Sequence, residues 1–294
     1  MTVVPVHLSY PEETLKSVRS KLVEKLSNKR SEIDSALLDR LMNDDLLLRR
    51  YIKRRNGDPE TSVTFISSVL EWRKRMGLPD LTETSFPSEF YEVGGIYNYG
   101  TDTQGNPVVH IRIRLFQKIE GILDILKKFS IYQMYRADEL AASKGPEYGW
   151  VLVFDCTDAS IANADIDMAN FVSSTLRNYF PSGQKYTLVH RLPWLLSAVK
   201  TLVYTMLPGY VKKKIRFCDE KSLNEHIDKE NLPDYLGGSG KTNDYRVFPD
   251  GLSTTRDLTT KGILTMSEDQ LVKTNQYYDK LRQFLYPVTE ESTK

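Results

Sequence analysis

Few residues of this chain have the types and spacing that chemistry needs. Gly240-Lys241-Thr242 matches the end of a phosphate-binding loop, where a glycine turn cradles phosphates and lysine and threonine serve phosphate and metal. That pattern wants glycine at 235, which is Tyr235, and a hydrophobic strand upstream, where Glu230-Asn231-Leu232-Pro233 stands. No Gly-x-Gly-x-x-Gly follows a predicted strand, which argues against a dinucleotide site. His7, His110, His190 and His226 lack metal-ligand spacing, and Cys156 and Cys218 form no pair. A Cys156–His nucleophile pair assembled in space has no local signature behind it. Asp155, ending a predicted strand, reads as the holder of the following turn. The expectation is a protein that is not an enzyme and carries neither metal nor cofactor.

Two basic clusters remain: Arg49, Arg50, Lys53, Arg54 and Arg55, and Lys212, Lys213, Lys214 and Arg216. Charge runs are usually solvated faces. The second cluster adjoins an apolar helix in which Trp194, Leu195, Ala198, Val199, Leu202, Val203 and Met206 recur at steps of three and four. A helix packed on a sheet and a movable lid over an apolar cavity share that period, so both readings stand. Cations beside an apolar surface suit an anionic membrane, each worth about 1 kcal/mol near it. The aromatic interleaving of single-stranded nucleic-acid grooves is absent there, so no nucleic acid is expected.

The elements that must position these residues divide by period. With 40 basic and 39 acidic residues the net charge is +1, so any charged site is local. Two cysteines in predicted strands suit a reducing compartment. Met1–Pro5 has no signal-peptide pattern, no apolar run is long enough for a span, and no lipidation motif is visible, which predicts a cytoplasmic chain. Amphipathic helices are predicted around Leu15–Leu26, Ile33–Leu41, Asp45–Arg55 and, capped by Asp58-Pro59, up to Met76. Pro79–Glu92 reads as a loop. Ile96–Tyr99 and Val108–Ile113 then read as a hairpin, Ile122–Leu140 as a helix, and Trp150–Phe154 as a strand covered on both faces. Met168–Tyr179 is predicted helical, Tyr186–His190 a strand, and Ser267–Leu285 a last amphipathic helix that either packs back or links. The class is α/β.

Several separated motifs together resemble the Sec14-like CRAL-TRIO family of lipid-binding proteins. They are Arg50–Arg55 between Asp45 and Asp58, Thr101-Asp102 with Gly105–Val108, Trp150–Asp155, Tyr179-Phe180-Pro181, Leu192-Pro193-Trp194, Lys214-Ile215, and Leu232-Pro233 with Gly237-Gly238. The likeness covers roughly residues 40–250. It implies a CRAL-TRIO mixed β-sheet with flanking helices behind a small all-helical lobe, divided as 1–90, 91–250 and a 251–294 extension. It implies one bound hydrophobic lipid or phospholipid, with the helix at 194–207 as a gate that opens on membranes. The implied pocket takes in Ile111, Tyr132, Trp150, Leu152, Phe154, Phe171, Phe180, His190, Val199, Leu202, Val203 and Met206. Arg191, Lys212, Lys213, Lys214 and Arg216 would meet a headgroup or an anionic membrane surface. Members that bind phosphatidylinositol carry Glu where this chain has Ser182, while Lys214 is kept. Members that bind phosphatidylcholine carry Ser and Thr where it has Trp150 and Leu152. Arg191 replaces a common Asn and His190 an apolar residue. These departures point to a more apolar ligand, sterol-like, isoprenoid or fatty acyl. The competing expectation is a lipid-independent adaptor, a small-GTPase-binding module whose pocket Trp150 fills.

Overall fold

The computed structural model describes residues 8–181 and 183–286, with the backbone alone at Met206 and Asn243. Ser182 and Met1–Pro5 lie outside the described residues. Four helices come first: α1 (Glu12–Leu26), α2 (Ser35–Asn43), α3 (Asp45–Lys53) and α4 (Pro59–Arg75). Asp34, Asp44 and Asp58 cap α2, α3 and α4 by accepting from Leu37, Leu47 and Thr61 backbone N–H groups at 2.9, 2.9 and 2.8 Å. Leu15, Leu22, Leu41, Leu48, Ile66 and Leu70 fill the core of this bundle. Asn56 and Gly57, both at positive φ, turn the chain out of α3.

The stretch 79–92, expected to be a loop, holds a further short helix, α5 (Ser88–Val93). Phe86 and Phe90 explain it: both are buried and pack on Phe129, which loop residues rarely do. Strands β1 (Ile96–Thr101) and β2 (Pro107–Arg112) form the expected antiparallel hairpin. Asp102 closes it by accepting from Gln104 N, Asn106 N and the Asn106 side chain. Then follow α6 (Leu123–Lys144), β3 (Trp150–Asp155), α7 (Ile166–Asn178), β4 (Gln184–His190), α8 (Ser197–Met206), α9 (Gly209–Lys212) and β5 (Ile215–Cys218). Short helices α10 (Glu220–Asn224), α11 (Thr242–Tyr245) and α12 (Thr255–Thr260) lead to α13 (Glu268–Leu285).

The five strands lie in the order β1-β2-β3-β4-β5, with β2 to β5 parallel. Register aligns Ile96, Ile111, Phe154, Val189 and Phe217 in one row across the sheet, and Val109, Leu152, Thr187 and Ile215 in the next row on the same face. Side chains alternate along a strand, so His110, Val153, Leu188 and Arg216 belong to the other face. Helices α6, α7 and α8 cover the first face. On the second, Val108, Val151, Val153 and Leu188 meet Leu223, Ile227, Leu232 and Leu236 from the chain after β5. With both faces covered, β3 needs the unbroken apolar run it has. The last helix packs back: Arg282 makes a two-pronged ion pair with Glu92 at 2.7 and 2.8 Å.

Candidate functional site: an apolar cavity with one cationic end

The two sheet rows and the helices over them do not meet everywhere. Between them lies a cavity of about 360 Å³. Ile111, Leu152, Phe154 and Val189 form its floor, Met168, Val172 and Leu176 of α7 a wall, and Leu196, Val199 and Val203 its cover. Size and lining are those of a small-molecule site, largely apolar with a few convergent polar groups. Gln117, Asn163 and Asp165 border it on the side of the loops after β2 and β3, and a second polar group lies where β4 and β5 begin. Lys214 Nζ donates to the Gln184 carbonyl at 2.6 Å, and the Gln184 amide donates to Thr187 Oγ1 at 2.9 Å. Arg54 enters from α3 and donates to the Leu176 and Arg177 carbonyls at 3.0 and 2.8 Å, capping α7. Burial, then the charges of Arg54, Lys53 and Lys185, push the Lys214 ammonium down to about 8. Lys53 is lowered too, by burial and by Lys185 and Arg50. Of these cations, Arg54 and Lys214 line the cavity.

The cover is attached unlike the rest. Among the described residues, no hydrogen bond or ion pair joins Ser197–Met206 to the sheet. Tyr204 Oη donates to the Lys212 carbonyl at a long 3.4 Å, and the other side-chain bonds of the helix are local. Instead, Leu196 and Val199 pack on Cys156, Phe154 and Val189. Lys200 and Lys212 lie over the Phe217 and Tyr204 rings at 3.9 and 5.4 Å. Outside, Trp194 is 86% exposed, and Leu195 and Leu202 are also exposed. The helix therefore has an inner apolar stripe at Leu192, Leu196, Val199, Val203 and Leu207, and an outer one at Trp194, Leu195, Ala198 and Leu202. The single face read from the sequence merged the two.

Of the residues expected at the pocket, Ile111, Leu152, Phe154, Phe180, Val199 and Val203 line this cavity, as does Lys214. Leu202 points to solvent, and the Met206 side chain lies outside the described residues. Trp150 is on the cavity face of the sheet but beyond the cavity's end, fully buried and donating from Nε1 to Asp138 at 3.1 Å. Tyr132 packs on Phe86, and Phe171 lies under Lys127, both away from the space. His190 falls on the opposite face by strand parity, in the row of Arg112, Asp155 and Cys218. Arg216 shares that face, with its guanidinium over Tyr186 at 4.1 Å. Arg191 pairs with Glu220 at 2.6 Å, Lys212 sits over Tyr204, and Lys213 is exposed.

The α3 basic run is not the solvated face its charge suggested. Arg50 is buried against Asp138, and Arg54 reaches the cavity. Their i, i+4 spacing, with Tyr51 and Ile52 buried between them, was the available signal. Thr187 and Val189 were missed because the face that β4 turns to the cavity is set by its register with Leu152 and Phe154. Tyr277 and Tyr278, which wall the cavity from α13, had no signal in the sequence. At the strand ends, burial and the neighbouring Asp155 and Cys218 push the Cys156 thiol up to about 12, the reverse of an activated nucleophile. Gly240-Lys241 leads into the four-residue α11, which starts at Thr242, and is preceded by 3-10 turns rather than a strand.

The family model described as the CRAL/TRIO domain matches residues 91–238. The chain is 24% identical over 204 residues to the CRAL-TRIO domain-containing protein C3H8.02 of Schizosaccharomyces pombe, covering 66% of this chain and 45% of that protein. It is 24% identical over 264 residues to the phosphatidylinositol transfer protein CSR1 of Eremothecium gossypii, covering 85% and 60%. To the Sec14 cytosolic factor of Schizosaccharomyces pombe it is 26% identical over 221 residues, covering 67% and 75%. The chain thus spans about half the length of the first of these relatives and under two thirds of the second. Among solved structures, Sfh5 shares the fold with a TM-score of 0.55 at 16% identity, over 87% of this chain and 99% of that one. By the length of the family match, by these relatives and by its five-stranded mixed sheet under helices, the chain belongs to the CRAL/TRIO domain family.

Proposed function

We propose that this protein holds one amphiphilic lipid, tail in the apolar cavity and anionic head on Lys214 and Arg54, and carries it between membranes. The observation that carries this reading is the polarity of the cavity: its lining is mostly apolar, and the cations Lys214 and Arg54 both border it. An anion there relieves mutual repulsion that a neutral ligand leaves in place. This favours a fatty acid or an anionic phospholipid over a sterol or an isoprenoid, narrowing the apolar ligand that the departures at Ser182, Trp150 and Leu152 suggest. The transfer of phosphatidylinositol named for one relative agrees with an anionic head.

Exchange needs a door, and α8 is the element built to leave. Lifting it costs about 25 cal/mol for each Å² of apolar surface bared to water. A bilayer that receives Trp194, Leu195 and Leu202 offsets this, while Lys200, Lys212 and Lys213 suit anionic headgroups. This part of the protein therefore works at a membrane surface; no helix among the described residues is long and apolar enough to cross one. No catalytic step is assigned. The adaptor reading depended on Trp150 filling the pocket; Trp150 lies outside it, and that support is lost.

The test is native mass spectrometry of the protein purified from eukaryotic cells, with organic extraction of what it holds. One stoichiometric anionic lipid is expected, and its head identifies phospholipid or fatty acid. A chain that stays empty after incubation with mixed liposomes overturns the proposal.

A further inference from the structure

Tyr277 and Gln117 each border two spaces, and of the two only Tyr277 presents a ring. On one side is the apolar cavity; on the other is a polar surface groove of about 440 Å³ between the loop 117–120 and α13. Lys273, Gln276, Tyr277 and Lys280 line the groove at steps of three and four, so one face of α13 forms it. Lys118, across the groove, is taken by Asp167 and Asp165 at 2.9 and 3.5 Å. Lys273 and Lys280 make no ion pair among the described residues. The Tyr277 hydroxyl donates to the Leu115 carbonyl, which pins the half-buried ring across the boundary.

We propose that Tyr277 is the partition that ends the cavity, and that it makes the site select tails with an apolar far end. The proposal rests on the lipid reading above for its substrate class, but the partition itself is a matter of geometry. With the ring in place, a chain that runs from Lys214 to Tyr277 ends in a mostly apolar lining, Leu115 and Tyr278 included, with Gln117 as the polar group shared with the groove. A second carboxylate there would lose its water against that lining, with no cation to receive it while the ring stands, at a cost far above that of a methyl group. With the ring removed, the chain end would meet the water of the groove and the ammonium groups of Lys273 and Lys280. Tyr277 lies outside the 91–238 family match, so the selection belongs to the C-terminal helix of this chain.

The test compares hexadecanoate with hexadecanedioate, equal in length and differing only at the far end. The intact chain should bind the monocarboxylate at least a hundredfold tighter, and Tyr277→Ala should bring that ratio to about tenfold or less. An unchanged ratio in a folded Tyr277→Ala protein overturns the partition. Should that variant fail to fold, Tyr277→Leu removes the anchor and shortens the side chain while keeping it apolar. A second readout needs no lipid: Leu115→Cys places a thiol behind the ring. Its labelling by a small methanethiosulfonate should be at least tenfold faster with Tyr277→Ala than with Tyr277 intact. Equal rates overturn the partition. An intact chain that binds neither acid defeats the lipid reading, and the labelling rate then decides the partition alone.

Discussion

The Lys200 ammonium sits 3.9 Å from the centre of the Phe217 ring and ties the cavity's cover to the edge strand. Tyr204 adds a ring contact to the same Phe217 at 6.3 Å. An exposed cation–π contact is worth about 0.5–1 kcal/mol. A lysine near an anionic bilayer gains about 1 kcal/mol. The two are comparable, so an anionic surface can take Lys200 from its ring and a neutral one cannot. In Phe217→Leu, amide hydrogen exchange over 194–212 should quicken about two- to fivefold without lipid. The difference between phosphatidylcholine vesicles and vesicles containing phosphatidylserine should shrink. Exchange unchanged from the intact chain would remove the latch.

Lys214 makes a prediction in pH. Its ammonium titrates near 8 in the folded chain against 10.5 ordinarily, because burial and neighbouring cations disfavour the charge. Between those values the unfolded lysine holds a proton that the folded one has lost, so this group makes stability rise with pH across the window. Below 8 the penalty is fully present. Lys214→Met should therefore stabilise the protein at pH 7 and remove the rise, as read by chemical denaturation. Binding of decanesulfonate, whose own charge is constant, should weaken above pH 8 by up to about tenfold per unit. A flat profile from pH 7 to 9.5 would take Lys214 out of the head site.

Trp150 separates folding from binding. Its indole donates to Asp138, a carboxyl that burial holds above its ordinary value and that Arg50 also engages. Trp150→Phe leaves that acceptor one donor short, at an expected cost of about 1–3 kcal/mol in unfolding. Because the side chain does not line the cavity, affinity for hexadecanoate should stay within about twofold. A large loss of affinity in the folded variant would put Trp150 back at the site.

His110 sets the acid limit. It is fully buried, stacked on Tyr97 at 5.1 Å, and burial pushes it down to about 4. Between pH 6.5 and 4 the unfolded histidine takes up a proton that the folded one refuses, so stability falls with falling pH in that range. The slope from this one group is at most about 1.4 kcal/mol per unit. His110→Gln should flatten the urea midpoint across this window, and an unaltered slope would assign the acid sensitivity elsewhere.

The elements were largely legible because period and capping are local. Asp58-Pro59 opens α4, Asn56-Gly57 closes α3, and the apolar run at 150–154 is a doubly covered strand. The expected pocket came from the family resemblance rather than from period, and six of its residues, Leu152 and Phe154 among them, line the cavity. What failed were statements about depth. Parity places Trp150 on the correct face but not how far along it the cavity reaches. His190 required knowing which strand residues pair with Phe154, which only register supplies. The cations of α3 looked solvated because Asp138, the partner that buries Arg50, lies 88 residues away. The wall from Tyr277 and Tyr278 depends on where α13 docks, and amphipathicity leaves that open.

The strand order carries a last consequence. Each crossover from β2 onward steps to the next strand in the same direction and never doubles back. Connections of one hand that always advance the same way are laid on one side. In doubly wound sheets the winding reverses, and the helices that part there leave a crevice at the strand ends where nucleotides sit. This sheet has no reversal among β2 to β5 and therefore no such crevice. The room it leaves for a guest among the described residues lies sideways, between the sheet and the helices, in a cavity that opens partly to the surface. Under the lipid reading proposed above, a chain wound this way would take ligands that dissolve in a protein interior, and α8 would be the helix that moves when one goes in or out.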